Sequence, residues 1–415
     1  MSRILFITHA LPFPPHLGGN QRTALLQRAL NKHGQTDLLF VSRYGQLPQE
    51  MIEEGRKNHG LVESVALPRR GSLPPWNLIR RISPKIVDRF ATAFGTQAVW
   101  YRPDAGLSAA VQKALAARQY DVIISRHLYP AAMSGILQHP PGLPVIVDAD
   151  DVDHIVAEEN GHPSVPFYKR VAFSRQTRQI RREALPLFAK ATHLWVAAAQ
   201  DAADLDASRC SLVPNIPYQA EGAARVPCPP ARESLDILVV ASIGYNPNSE
   251  GVEYFLKRVW PAIRREVGGA NLRIVGSGVS PARIKRWSSV PGVEVVGFVP
   301  DLREEYQRSA FSIVPVQRGG GTKIKAIECF TFGRTCVVTP HSYRGIGEVL
   351  KHQQSLWRGE NDEHFAEGCI HLLTHPEDRD AWAENGRQLV AREFNFEKLQ
   401  AAVDQTFAKL GLASG

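Results

Sequence analysis

Residues 318–333, RGGGTKIKAIECFTFG, decide how this chain is read. Gly319, Gly320 and Gly321 precede a short amphipathic segment carrying Lys323, Lys325 and Glu328, and an apolar run, CVVTP (336–340), follows. A loop without side chains lets backbone N–H groups approach an anion, and a helix N-terminus behind it adds a favourable dipole. The two lysines supply charge for phosphates, and Glu328 is a carboxylate able to accept hydrogen bonds from a ribose diol. The stretch reads as loop, helix and buried strand around a nucleotide-diphosphate site. An exposed i,i+3 pair of Lys325 and Glu328 would explain the same residues without a ligand, but is worth only a few tenths of a kcal/mol. Three glycines weaken any purely structural loop, so the site reading is favoured.

Strand and helix signals alternate on both sides. RILFIT (3–8), TDLLFVS (36–42), YDVIIS (120–125), PVIVDAD (144–150), HLWVAA (193–198) and CSLVPN (210–215) are short apolar runs. Between the first two lies a helix, GGNQRTALLQRALNKHG (18–34), closed by a C-cap glycine. Continuous apolar strands separated by helices imply a parallel sheet covered on both faces. Ligands of such sheets bind outside the carboxyl ends of the strands, which directs attention to the loops after RILFIT and PVIVDAD. Residues 213–234 turn Pro- and Ala-rich without periodicity, as a linker does. The alternation then restarts with LDILVVAS (235–242), a helix over 249–267, NLRIVGS (271–277), VEVVGFV (293–299), a helix over 302–310 and FSIVPV (311–316). Amphipathic helices over 362–375, 376–394 and 395–410 close the chain. The expected organisation is a first domain over 1–215, a linker over 216–233, a second domain over 234–395, and a C-terminal helix and tail over 396–415.

The 415 residues are 44% hydrophobic and 22% charged, an ordinary globular composition long enough for two domains. No apolar run reaches the length of a membrane span, and MSRILFITHALPFPP reads as a first strand rather than a signal peptide. Cys210, Cys228, Cys329, Cys336 and Cys369 are scattered without C-x-x-C spacing, which points to a reducing compartment and no zinc site. The net charge of +8 favours an anionic partner. No zinc finger or RNA-binding signature speaks for nucleic acid, and VGSGVSPAR (275–283) lacks the third glycine of a dinucleotide fingerprint. Residues 67–103 interleave Arg69, Arg70, Arg80, Arg81, Lys85 and Arg89 with Trp76, Ile79, Ile82, Phe90 and Trp100. They read either as a helical insertion packed on the domain or as a face resting on an anionic membrane surface.

These segments together resemble the retaining nucleotide-sugar glycosyltransferases of the GT-B fold, specifically glycosyltransferase family four, of the bacterial surface-polysaccharide type. The resemblance runs through HALPFPPHLGGNQR (9–22), VIVDADDVDH (145–154), VPNIP (213–217), ASIGYNPNSEGVEYF (241–255), LRIVGSG (272–278), VEVVGFVPDL (293–302), GGGTKIKAIECFTFGRTCVVTP (319–340) and GRQLVAREFNFEKL (386–399). It implies two Rossmann-like domains facing across a cleft, with the C-terminal helix returning to the first. Glu328 matches the glutamate that accepts the donor ribose hydroxyls. Gly319, Gly320 and Gly321 match the backbone that binds donor sugar and diphosphate, with Lys323 and Lys325 as its cations. Phe298 and Val299 match the segment holding the nucleobase. Gly18 and Gly19 match a first-domain loop closing over diphosphate and acceptor. Asp150 falls where many members place a catalytic-site histidine, with Asp151 and Asp153 completing that loop.

Two departures stand out. Many members carry a second acidic residue eight positions before the glutamate, where this chain has Gly320. Many also carry an Arg and a Lys after the first strand of the second domain, where this chain reads ASIGYNPN with Ser242 and Asn248. Lys323, Lys325 or Arg318 must then compensate, or backbone N–H groups hold the donor. The expected activity is sugar transfer from a nucleotide-diphosphate sugar to a lipid-linked, polysaccharide or small-molecule acceptor, with retention by a front-face route and without metal or other cofactor. Electrostatic donors at the leaving diphosphate supply the largest catalytic term in such a scheme. The expected location is cytoplasmic, peripheral at the inner face of the membrane. An epimerase or phosphorylase of the same fold, or a non-catalytic anion-binding protein, is the alternative. Asp148 and Asp150 also spell a D-x-D that elsewhere binds a divalent metal, but in the wrong domain for this fold. His9 and His127 follow strand-like runs and read either as lining the cleft or, each taken alone, as bystanders.

Overall fold

The computed structural model describes residues 2–13, 18–42, 47–57, 59–67, 101–159, 167–217, 226–319 and 324–412. Gly320, Gly321 and Lys323 lie outside the described residues, as does nearly all of the basic aromatic segment. The chain divides into two compact units, Met1–Pro214 with Glu397–Gly415, and Asn215–Phe396.

Among the described residues the first unit holds seven strands: β1 (Ser2–Thr8), β2 (Gly34–Ser42), β3 (Val62–Ala66), β4 (Val122–Arg126), β5 (Val145–Ala149), β6 (His193–Val196) and β7 (Cys210–Leu212). Their order is β3-β2-β1-β4-β5-β6-β7, and every pairing is parallel. β1, β2, β4, β5 and β6 are apolar and buried along nearly their whole length because helices cover both faces, whereas the edge strands β3 and β7 are mostly half-buried. Ile7, Leu39, Ile123, Val147 and Leu194 meet Leu107, Val111, Ala132 and Phe188 in one core. Chain order reverses between β1 and β4. There the chain leaves β1 toward helix α1 (Gly18–Leu30) and β4 toward helix α2 (Leu128–Met133). A longer helix, α3 (Phe167–Phe188), crosses from β5 to β6.

The second unit repeats the plan with β8 (Asp236–Val240), β9 (Asn271–Val275), β10 (Val293–Gly297), β11 (Phe311–Val314), β12 (Cys336–Val338) and β13 (Trp357–Arg358). The order is β10-β9-β8-β11-β12-β13, again all parallel, with the reversal between β8 and β11. Helix α4 (Asn246–Tyr254) follows β8 and helix α5 (Ile324–Thr331) follows β11, so both start at that reversal. The single helix expected over 249–267 is interrupted by a π-helical turn at Phe255–Val259 before a last segment, Trp260–Glu266. Pro261 explains it: a proline has no N–H to donate to the preceding turn, and its ring displaces that carbonyl. Residues 226–229, in the stretch read as linker, pack on this unit. Buried Arg334 donates to the Pro229 carbonyl (2.8 Å), and the Cys228 amide donates to the Phe332 carbonyl (3.0 Å).

The last helix, α6 (Phe396–Lys409), returns to the first unit. Leu399, Val403 and Phe407 are fully buried. The indole N–H of Trp195 donates to Thr406 (2.9 Å), and the His33 ring stacks on Phe407 while its Nε2 meets Asp404 at 2.7 Å.

Candidate functional site

In the second unit, candidate residues gather at the carboxyl ends of β8, β9 and β11. The loops after β8 and β9 touch through backbone, with the Ile243 amide donating to the Ser277 carbonyl at 2.8 Å. Gly276 and Gly278 permit this: φ is +144° and +79°, and a Cβ on Gly276 would lie 1.7 Å from the Ala241 oxygen. Gly251 of α4 faces the Pro315 carbonyl, which a Cβ would approach to 2.7 Å, so α4 sits tight against the chain leaving β11. Gly319, at φ +108°, runs beside Tyr245 and Pro247 at the start of α4.

Glu328 lies on α5, 7% exposed. The Tyr306 hydroxyl donates to its Oε1 at 3.3 Å, and the Tyr306 ring stacks on Phe332. Burial pushes the Glu328 carboxyl up to about 7, against the opposing pull of Tyr306 and Lys325. Lys325, one turn earlier, extends its ammonium to Asn248 Oδ1 at 2.5 Å, while Asn248 Nδ2 donates to the Ser242 carbonyl at 2.7 Å. Asn248, which stands where the resemblance leads one to expect a cation, therefore holds a cation delivered from α5. Arg318 is bound through its fork to Glu250, both bonds at 2.8 Å. Phe298 follows β10 with its ring 65% exposed, and Val299 beside it is half-buried.

In the first unit, three of the quoted motifs converge on one buried network. Arg22 of α1 donates to Asp148 from Nη2 (2.5 Å) and Nε (3.0 Å), and its Nη1 donates to the Val213 carbonyl (3.0 Å). Arg126, the last residue of β4, donates to Asp148 (2.7 Å) and to Asp150 (3.1 Å). The carboxylates of the D-x-D thus face two guanidinium groups. Burial alone would raise the Asp150 pKa, but Arg126, His127 and Arg22 outweigh it and hold the carboxyl below its ordinary range. His127 follows β4 at φ +67°, with Nδ1 3.3 Å from Asp150 Oδ1. Burial lowers the His127 pKa to about 4, so the ring is neutral near pH 7. The rings of His9, just past β1, and His127 lie 4.7 Å apart, at the point where the strand order reverses. Gly18 and Gly19 open α1, and Asp151 follows Asp150 half-buried.

Sequence reasoning misses Arg22 and Arg126, and takes the two histidines one at a time. The available signal was Arg126 itself, a charged residue ending an apolar strand on the ligand-binding edge of a parallel sheet.

Residues 234–375 match the family described as Glycosyl transferases group 1. An uncharacterised glycosyltransferase of Haemophilus influenzae is 26% identical over 171 residues, 40% of this chain. That match spans 47% of the relative, about half its length. The crystal structure of HepE from Anabaena with UDP and glucose superposes with a TM-score of 0.66 at 11% identity, covering 99% of this chain and 100% of HepE. The fold is GT-B. Sucrose-phosphate synthase from Thermosynechococcus elongatus, at 15% identity and a TM-score of 0.66 over 99% of both chains, has it too.

Proposed function

We propose that this chain is a glycosyltransferase that takes its sugar from a nucleotide-diphosphate donor and passes it, with retention, to a glycan or lipid-linked acceptor of the surface-polysaccharide type. One observation carries the reading: a buried glutamate and a tethered lysine share α5, which starts at the strand-order reversal of a parallel sheet and follows the glycine run 319–321 in the sequence. Support comes from the Glycosyl transferases group 1 match, which covers residues 234–375 of the second unit, and from HepE, which has the same fold and was crystallised with UDP and glucose.

In this reading Glu328 accepts the ribose hydroxyls, with Phe298 and Val299 beside the base. Lys325, Lys323 and the N–H groups of Gly319, Gly320 and Gly321 take up the charge on the leaving diphosphate. Stabilising developing charge at the leaving group is the largest contribution preorganised donors make. The front-face route then lets the diphosphate accept the acceptor's proton. On the acceptor side we assign His127 the position beside the reacting sugar. Asp150, whose oxygens face Arg126 and His127, holds that ring rather than contacting substrate. Gly18, Gly19 and Asp151 flank it.

The decisive experiment is Glu328→Ala. Transfer and donor hydrolysis should fall roughly 100-fold or more, with the circular dichroism spectrum unchanged. Undiminished activity sinks the assignment. A thermal-shift screen across nucleoside diphosphates identifies the base, since a ligand at 100 times its Kd stabilises by about 2.7 kcal/mol. Transfer that survives EDTA supports the protein-only charge scheme, and transfer lost to EDTA and restored by a divalent ion contradicts it. Among the described residues no helix is long and apolar enough to cross a membrane. We place the enzyme at the inner membrane face through residues 67–103, so charge reversal at Arg80, Arg81 and Lys85 should abolish co-sedimentation with anionic vesicles.

A further inference from the structure

We propose that the outer face of α3 is a groove for the diphosphate group of a diphosphate-linked acceptor; the name of that ligand rests on the glycosyl-transfer reading, whereas the anion site does not. Ile180, Ala184, Leu187 and Phe188 turn one side of α3 into the first-unit core. Arg175, Arg178 and Arg182 lie on the other side at i, i+3 and i+7 and, with Gln179, line a groove of about 420 Å³.

Several of the chain's arginines pair with a carboxylate, whereas among the described residues the stripe on α3 does not. Arg181, one position off the stripe, pairs with Asp204 at 2.7 Å; Arg118 pairs with Asp37 and Arg209 with Asp206. Among the described residues none of Arg175, Arg178 and Arg182 has an acidic oxygen within 4.0 Å. Arg178 Nε makes a bond of 3.4 Å to the Ser174 carbonyl of its own helix, and the nearby acid, Glu183, accepts from Gln179 at 3.2 Å. Like charges three and four apart on a helix repel by a few tenths of a kcal/mol per pair, a cost that a bound anion reverses.

The chemistry selects the anion. Guanidinium forks match phosphate oxygens two at a time. The stripe is about 10 Å long at 1.5 Å per residue, short enough for long arginine side chains to converge on one diphosphate and too short to follow a repeating polyanion. A membrane-lying helix turns its apolar side outward to lipid, whereas this one turns it inward and leaves an exposed basic face. Because α3 crosses between parallel strands, it runs back from their carboxyl ends. The stripe begins about 12 Å along it, so a glycan held there extends toward the first-unit site.

The test is a calorimetric titration of the full chain with inorganic pyrophosphate, comparing wild type, the exposed triple variant Arg175→Gln, Arg178→Gln, Arg182→Gln, and Lys325→Ala. We expect a pyrophosphate site that the triple variant loses or weakens at least tenfold and Lys325→Ala retains. A second site with the reverse pattern supports the donor loop, and its absence counts against the transferase reading while leaving the groove intact. Pyrophosphate binding that is absent or indifferent to the three arginines overturns the proposal. So does loss of binding to phosphatidylglycerol-containing vesicles in the triple variant without loss of pyrophosphate binding, which makes the face a membrane contact.

Discussion

Glu328 shows how much a single residue's setting decides. Its type and spacing suggest a ribose acceptor, but its protonation is set by burial, which holds the carboxyl up at about 7 instead of its ordinary 4.5. The folded chain keeps a proton that the unfolded chain releases between those values. The stability this gives is full below about pH 4.5 and is lost as pH rises through about 7. Glu328→Gln, always neutral, should melt with the wild type at pH 5 and above it at pH 8; equal melting at both values refutes the shift. Donor hydroxyls need the carboxylate, so affinity for an intact nucleotide sugar should rise about tenfold from pH 6 to pH 8 and lose that dependence in Glu328→Gln. Asp148 is the contrasting case. It is fully buried between Arg22 and Arg126, and Asp148→Asn strands two guanidinium groups, so chemical denaturation should show a loss of about 3–5 kcal/mol.

At the scale of elements, the loops at the carboxyl edge are held together by backbone proximity. Gly276 combines a positive φ with a Cβ position inside the Ala241 carbonyl. Gly276→Ala should therefore cost about 3 kcal/mol or more in urea unfolding and weaken nucleotide binding, because it separates the loops after β8 and β9. A loss below about 0.5 kcal/mol, the range of ordinary surface changes, would show that the loops can part freely. Strand signals with uninterrupted β-branched runs, such as β1, β4, β5 and β8, were legible in the sequence. β3 and the two-residue β13 were not, since short edge strands carry little pattern. Nor was α3 recognised, although it is the longest helix described. Its arginine-rich outer face and internal Pro186 dilute the apolar period on which helix recognition depends.

For the whole molecule, the last helix ties the end of the chain to the first unit. Ending the chain at residue 395 removes the buried Leu399, Val403 and Phe407, each worth roughly 1.5–3 kcal/mol, and the Thr406 acceptor of Trp195. Calorimetry should then show the first unit melting earlier while the second keeps its transition; an unshifted first transition would show that the helix adds no stability. By itself, the sequence determined the two-unit α/β plan and the edge of each sheet to search, and it singled out Glu328 and the glycine run before it as candidates, because apolar period and glycine runs are local signals. Only the tertiary structure decided that Lys325 meets Asn248, that Arg22 and Arg126 consume the D-x-D, and that the rings of His9 and His127 lie side by side. Those pairings join residues from different strands and helices, and which side chains meet at a sheet edge is set by strand order and packing, not by distance along the chain.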